Sequence, residues 1–136
     1  QGLAKAIVKY QDPSSGTWYQ VTDQGAREGN YLESSATALF IYTLAKAINK
    51  GYIGNEYIEP TQKAFDGMVK TFTRLEEDGS YTITNCCAVA GLGGDSKRYR
   101  DGSFEYYISE PIIENDPKSV GSFILAAIEY EKMTKK

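Results

Sequence analysis

The side chains available for proton transfer in this sequence are carboxylates, lysines and tyrosines, because the chain contains no histidine. The lack of histidine excludes Ser-His-Asp and Cys-His catalytic arrangements and removes the commonest zinc ligand. Carboxylate pairs are the strongest remaining candidates, since sugar hydrolysis commonly needs one protonated and one ionised acid in a cleft. The sequence does not give the separation of such a pair.

Glu33 is the best-placed carboxylate, at the predicted amino end of an inner helix beside Asn30, Tyr31 and Ser34. Two interpretations of Glu33 stay open. In the first it is one acid of a catalytic pair. In the second it completes a capping box as the third residue after Asn30, where the helix dipole favours its ionised form.

Other site chemistries find little support in the sequence. The run Gly91-Leu92-Gly93-Gly94 has no Lys-Ser/Thr pair and no predicted helix behind it, which argues against a phosphate-binding loop. The acidic residues from Asp95 to Asp116 lack the regular alternation of a calcium loop. Cys86 and Cys87 are adjacent and cannot easily form an unstrained disulfide, so we expect two buried thiols.

The composition predicts a single soluble domain over residues 1–136, with 41% hydrophobic and 24% charged residues. The net charge of −3 makes nucleic acid and anionic membranes poor partners. No apolar run approaches the roughly 20 residues of a membrane-spanning helix. Tyrosine dominates the aromatic residues, with 11 Tyr against 5 Phe and 1 Trp, and its ring and hydroxyl suit both sugar surfaces and half-buried helix positions.

Apolar spacing and capping residues predict about four helices. A short first helix ends near Pro13, and a second runs from the Asn30 cap to Gly51 with apolar residues on nearly every side, as expected for an inner helix. A third, outer helix has Pro60 at its first position. Asp116 and Pro117 open the last helix. Its predicted buried stripe is Val120, Phe123, Ile124, Ala127 and Ile128.

The predicted strands are few and short. Residues 79–83 and 104–108 are interpreted as strands, and residues 18–21 as a short extended piece. The connection between the last two helices exceeds forty residues, which indicates a functional or partly structured loop.

Five ordered motifs carry a family resemblance: DPSSGTWYQV at 12–21, GNYLESS at 29–35, GLG at 91–93, RDGSFEYYISE at 100–110 and NDPKSVGSF at 115–123. Together they resemble glycoside hydrolase family 105, the unsaturated rhamnogalacturonyl hydrolases. The resemblance covers essentially the whole chain but only the C-terminal part of that family's chain. It implies a mainly α fold, part of an (α/α)6 barrel with two or three short strands in loops.

The resemblance also implies a reaction. An aspartate protonates the C4–C5 double bond of an unsaturated galacturonic acid, water adds at C5, and rearrangement releases rhamnose or another aglycone, with no metal or organic cofactor. The family's catalytic aspartate and its arginine-tryptophan motif lie upstream of anything in this chain. No catalytic residue is therefore assigned, and we expect no turnover from the chain alone.

The residues that remain are candidates for the wall and rim of the sugar cleft. Trp18 offers a stacking face, and Lys118 at a helix amino end offers a partner for a carboxylate. The substrate-binding candidates implied by the resemblance are Trp18, Gln20, Asn30, Tyr31, Glu33, Tyr106, Tyr107 and Lys118.

The expected partners are an oligosaccharide with an unsaturated uronic acid and either the N-terminal part of the barrel or a second copy of the inner helix face. A non-catalytic carbohydrate-binding or helical scaffold module is one alternative function. An unsaturated glucuronyl hydrolase of glycosaminoglycan fragments is another, and cytoplasm and periplasm both stay open as compartments.

Overall fold

The computed structural model describes residues 1–25, 27–94 and 99–135 of the chain. Helices form most of the regular structure in these ranges, as predicted, and the strands are two or three residues long. The helices are α1 (Gly2–Lys9), α2 (Ser34–Asn49), α3 (Ile58–Phe72), α4 (Phe104–Ser109) and α5 (Pro117–Thr134). The strands are β1 (Thr73–Leu75), β2 (Tyr81–Ile83), β3 (Cys86–Cys87) and β4 (Ile112–Ile113).

Helix α2 is the central element and packs most extensively against α5 and then against α3. It begins three residues later than predicted because Glu33, and not Asn30, is the N-cap. The Glu33 carboxylate accepts a hydrogen bond from the Ala36 N–H at 2.6 Å. The helix ends as predicted at Gly51, whose φ of 70° lies in the left-handed region that glycine tolerates.

The predicted buried stripe of α5 coincides only in part with the face that the helix buries. Its buried residues are Ser119, Ser122, Ala126 and Met133. Ile124 and Ile128 of the predicted stripe are 55% and 44% exposed. Val120, Phe123 and Ala127 of the stripe are half-buried, and Phe123 packs against the core. The apolar spacing of α5 therefore identified one edge of its buried face.

Helices α2 and α5 run parallel. At their carboxyl ends, the Asn49 side chain donates a hydrogen bond to the Glu129 carbonyl at 2.8 Å. At their amino ends, β3 lies beside both helices: the Cys87 N–H bonds the Glu33 carboxylate, and the Cys86 thiol lies beside the Ser119 hydroxyl. Loops that precede these two helices therefore meet at one end of the helix pair.

Helix α3 packs closely against the loop that follows α1. A Cβ added at Gly67 would lie 1.9 Å from the Ser15 carbonyl oxygen, so only glycine fits at this crossing. A one-turn 3-10 helix, Asn55–Tyr57, leads directly into α3, which makes Pro60 the third residue of the helix and not the first. Met68 and Phe72 of α3 are fully buried in the core.

The strand predicted at residues 104–108 is wrong, because these residues form the short helix α4. Ser103 caps the helix by accepting a hydrogen bond from the Tyr106 N–H at 3.1 Å. The aromatic and β-branched composition favours a strand, but one cap and tertiary packing override that weak propensity.

The strand predicted at residues 79–83 is confirmed as β2, which pairs antiparallel with β1 in the register Thr73↔Ile83. Strand β3 pairs antiparallel with β4, with Cys86 opposite Ile113. The predicted extended piece at residues 18–21 contributes one isolated bridge, between Tyr19 and Leu32.

None of the described helices combines the length and the hydropathy needed to cross a membrane.

Candidate functional site

Loops converge at the amino ends of α2 and α5. We call this region the rim; it includes Tyr31, Glu33, β3 and Lys118. Glu33 is 1% exposed. One carboxylate oxygen accepts from the Cys87 N–H at 3.0 Å, and the other accepts from the Ala36 N–H. The Ser35 hydroxyl lies 2.9 and 3.0 Å from the two oxygens. Glu33 thus caps α2 and joins it to β3, which favours the capping interpretation over a catalytic role.

Tyr31 lies beside this carboxylate with its ring half-buried and its hydroxyl oxygen buried. Burial raises the pKa of the Tyr31 hydroxyl, and the adjacent Cys87 thiol and the negative charge of Glu33 raise it further. The phenol therefore stays protonated in the folded chain well above neutral pH. The Tyr31 carbonyl is fixed by the Gln20 N–H at 2.8 Å.

Lys118 places an ammonium group on the same rim, one residue into α5. Its Nζ donates to the Ala88 carbonyl at 3.0 Å and lies 2.6 Å from Asp116 Oδ1. The Asp116 carboxylate raises the pKa of Lys118, and Lys118 in turn lowers the pKa of Asp116. Because an ammonium has three donors and its side chain is 52% exposed, one N–H is left for a ligand.

Tyr106 and Tyr107 lie on α4, with ring centroids 5.0 Å apart. The Tyr106 hydroxyl accepts from the Gly91 N–H at 3.1 Å, and burial raises its pKa, with a further contribution from the Glu110 carboxylate. The Ala88 N–H bonds the Pro111 carbonyl at 2.9 Å and ties the end of α4 to β3. Tyr106 is therefore a packing residue, and Tyr107, half-buried, is the better candidate for ligand contact.

Asn30 and Gln20 lie in the loop before α2. The Asn30 amide donates to the Val21 and Gln24 carbonyls at 2.9 and 2.8 Å and its oxygen accepts from the Val21 N–H, so the side chain holds the loop in shape. Gln20 is half-buried. Of these two residues, Gln20 is the better candidate for ligand contact, because the Asn30 side chain is already hydrogen-bonded to the backbone of its own loop.

Trp18 is a core residue, so the predicted role as a stacking face for a sugar is not supported by its position. Its side chain is fully buried, and its indole N–H donates to the Ile7 carbonyl at 2.8 Å. Phe40 contacts the ring edge to face at a centroid distance of 5.2 Å. The apolar faces of the indole are covered by the protein itself.

Two features of the rim had no sequence signal strong enough to identify them. Cys86 and Cys87 are buried free thiols, as predicted, but the strand that they form is also the element that joins the two helix ends. The Arg27 guanidinium lies 3.8 Å over the Phe104 ring and pairs with Glu105, which links the loop before α2 to α4. These contacts join distant parts of the chain, and local periodicity does not report them.

The described residues contain no group of three or more Cys, Asp or Glu side chains arranged to hold a metal ion. Asp95, considered above for a calcium loop, lies outside the described residues.

Comparison with known proteins places this arrangement in a family. The model described as Glycosyl Hydrolase Family 88 matches residues 1–134. "Protein Atu3128" of Agrobacterium fabrum is 37% identical over 131 residues, covering 93% of this chain and 56% of that protein. The chain thus spans about half the length of this curated relative.

Solved structures show the same fold. A C. acetobutylicum glycoside hydrolase from family 105 is 45% identical with a TM-score of 0.90, and the match covers 94% of this chain and 35% of that one. A possible family 105 member from Salmonella enterica is 26% identical with a TM-score of 0.74, over 97% of this chain and 30% of that one. The chain therefore belongs to glycosyl hydrolase family 88, and its helices form part of the (α/α)6 barrel found in its family 105 neighbours.

Proposed function

We propose that the chain forms one wall of the substrate cleft of an unsaturated rhamnogalacturonyl hydrolase. The observation that carries the proposal is the position of Lys118, which directs an ionised ammonium with a spare donor toward solvent beside β3. Tyr31 lies beside Cys87 of the same strand, and half-buried Tyr107 of α4 is a further aromatic candidate. An ammonium with neighbouring aromatic rings suits a sugar that carries a carboxylate.

In this proposal the chain binds and orients the unsaturated galacturonate and does not supply the proton. The reaction expected for the family needs an acid to protonate C4 of the double bond, after which water adds at C5. Glu33 is unsuited to that role, because its oxygens are buried and bonded to Ala36, Ser35 and Cys87. We expect the proton donor to belong to a part of the barrel that these 136 residues do not contain.

The experiment uses an unsaturated rhamnogalacturonan disaccharide with the 136-residue chain. Binding is measured by calorimetry, and turnover is followed as loss of the double-bond absorbance. We expect binding without turnover, and weaker binding by Lys118→Met than by the control Lys70→Met on exposed α3 surface. Turnover would contradict the assignment of the proton donor to other residues, and equal binding by both variants would remove Lys118 from the cleft.

A non-catalytic carbohydrate-binding or scaffold module is a second candidate, favoured by the structural role of Glu33. Binding alone does not separate it from a wall of an active barrel. The gene sequence immediately upstream of Gln1 does: a reading frame that encodes the missing aspartate supports the hydrolase, and its absence supports the module.

An unsaturated glucuronyl hydrolase is the alternative within the same chemistry. The 45% identity to a family 105 structure supports the pectin-derived substrate. Comparing the affinity for the rhamnogalacturonan disaccharide with that for an unsaturated chondroitin disaccharide tests the choice, and tighter binding of the chondroitin compound would reverse it.

The partner that fits the remaining exposed face is the rest of the barrel. Ile124, Leu125 and Ile128 of α5 are 44–55% exposed, and Leu39 of α2 is 48% exposed. Helices adjacent to α2 and α5 in an (α/α)6 barrel would bury these side chains. A second copy of the chain would bury them in the absence of that part.

A further inference from the structure

A basic groove lies between the carboxyl ends of α2 and α5, at the opposite end of these helices from the rim. Its larger part has a volume of about 720 Å3 and is lined by Lys46, Asn49, Lys50, Glu129, Lys132 and Lys135. A smaller part of about 300 Å3 shares Lys46 and Lys50 and adds Tyr42 and Tyr52. Because the first lining residue of the larger part, Lys46, lies 13 residues after Glu33, roughly 20 Å of helix at about 1.5 Å per residue separates that part from Glu33.

The charge in the basic groove is positive although the whole chain carries −3. Its two nearby carboxylates are used internally. Glu129 accepts from the Asn49 amide at 3.1 Å and from Lys132 Nζ at 3.0 Å, and these contacts lower its pKa. Glu131 pairs with Lys135. Among the described residues of this region, four lysines against two glutamates leave two positive charges for a ligand.

The dipoles of α2 and α5 reduce the positive electrostatic potential of the basic groove but do not reverse its sign. Each helix carboxyl end acts as about half a negative charge. The two ends together offset about one of the two net positive charges. Lys50 keeps its full effect, since no carboxylate among the described residues pairs with it.

The surface of the basic groove also suits sugar rings. Tyr52 is 72% exposed, and the Lys46 ammonium lies 2.5 Å from the Tyr42 hydroxyl and 4.8 Å from the centre of its ring. The described lining residues include no Leu, Ile, Val or Phe. A peptide that docks on a groove commonly needs such apolar anchors. Exposed tyrosine rings beside ammonium groups instead match a chain of carboxylated sugars.

We propose that the basic groove is a second carbohydrate-binding site, separate from the rim around Lys118, which takes an oligosaccharide of uronic acids. Its lysines meet the carboxylates, and Tyr52 stacks on a sugar ring. The choice of a uronate over other polyanions rests on the proposed function.

The test measures binding of trigalacturonic acid to the 136-residue chain by calorimetry and by amide chemical shifts. Lys50→Glu combined with Lys135→Glu reverses two exposed charges of the basic groove. Lys5→Glu combined with Lys70→Glu makes the same change in net charge at exposed positions of α1 and α3. Since each reversal replaces a modest attraction with a repulsion, we expect the first pair to weaken binding about tenfold and the control pair much less.

Tyr52→Ala provides an independent variant, because the exposed ring contributes little to folding. It should weaken binding and remove the chemical shift changes at residues 50–53. Equal effects of the two charge-reversal pairs, or equally tight binding of inorganic sulfate, would overturn the proposal.

Lys118→Met separates this proposal from the proposed function. If Lys118→Met abolishes binding while the groove variants bind normally, the second site is wrong and the rim stands. If the groove variants no longer bind trigalacturonic acid, and the wild-type chain does not bind the unsaturated disaccharide, the proposed function is wrong and the second site stands.

Discussion

The carboxylate of Glu33 accepts a hydrogen bond from the backbone N–H of Cys87 at 3.0 Å, across 54 positions of sequence. The same side chain caps α2 through Ala36. One buried residue thus fixes the amino end of the central helix and the position of a two-residue strand. Tyr31 lies beside Cys87 of that strand, and Lys118 donates to the carbonyl of Ala88, the next residue along, so the shape of the rim depends on this bond.

Glu33→Ala should lower the free energy of unfolding by about 2–4 kcal/mol, because it removes the cap and leaves buried N–H groups without acceptors. Glu33→Gln keeps one oxygen as an acceptor and should cost less. Urea denaturation followed by circular dichroism measures both, with Glu28→Ala on the exposed loop as the control. If the free energy of unfolding of Glu33→Ala lies within about 0.5 kcal/mol of wild type, Glu33 does not stabilise the junction of α2 and β3, and a catalytic role is open again.

Trp18 should report folding and not sugar binding. Its emission is expected to be blue-shifted and poorly quenched by acrylamide, since the ring is fully buried. Because it is the single tryptophan, the signal is unambiguous. Trp18→Ala should cost about 3–5 kcal/mol through loss of burial. A fluorescence change on adding the unsaturated disaccharide, absent with a neutral disaccharide of equal size, would show that the ring contacts ligand.

Alanine substitutions at two helix glycines should change the free energy of unfolding in opposite directions. Gly121→Ala in α5 should stabilise the chain by about 0.5–1 kcal/mol, because a Cβ there meets nothing within 4 Å and alanine favours helix. Gly67→Ala in α3 should destabilise it by about 2 kcal/mol or more, since its Cβ would clash with the Ser15 carbonyl. Thermal unfolding of the two variants measures the difference, and the same sign for both would refute the close approach at Gly67.

Much of the helical framework could be predicted from sequence. The ends of α2 at Gly51 and of α5 at Asp116 depend on local capping chemistry, and the structure confirms both. Asn30 does not cap α2, because its side-chain amide donates hydrogen bonds to the carbonyls of Val21 and Gln24 in the preceding loop. A capping pattern in the sequence does not report this competing interaction. Glu33 then takes the capping position itself.

The errors in the site and in α5 have a common physical cause. Periodicity identifies an apolar face but not the element that covers it, so Ile124 and Ile128 were assigned to the buried side although α5 buries the small residues Ser119 and Ser122. Trp18 was assigned to the cleft because tryptophan suits both sugars and cores. Only the packing of α1 and α2 around the ring distinguishes the two environments.

The exposed face of α5 should drive self-association of the isolated chain. Ile124→Lys combined with Ile128→Lys should shift sedimentation toward the monomer with less than about 0.5 kcal/mol loss of stability, since both side chains are about half exposed. Gln62→Lys combined with Glu59→Lys on exposed α3 surface tests the effect of added charge. A wild-type chain that is monomeric at high concentration would refute this prediction.

Stability should fall at alkaline pH, in part through Tyr31. Its pKa is raised in the folded state above the ordinary tyrosine value of about 10, so the unfolded chain releases this proton first. The contribution is intact below about pH 9 and is lost as the pH rises through the unfolded pKa toward the folded one. At pH 11, one unit above the unfolded pKa, the loss from this residue is about 1 kcal/mol.

Tyr31→Phe should therefore lose about 1 kcal/mol less than wild type between pH 8 and pH 11. At pH 8 the substitution should cost little, because the neighbouring Cys87 thiol is a weak hydrogen-bonding group. Cys86, Tyr106 and Tyr130 also have raised pKa values, but they are present in both chains and cancel in the comparison. Urea denaturation at the two pH values gives the difference, and Tyr52→Phe, at an exposed ring, should follow the wild-type pH dependence. Parallel losses in wild type and Tyr31→Phe would show that the Tyr31 hydroxyl ionises as easily in the folded chain as in the unfolded one.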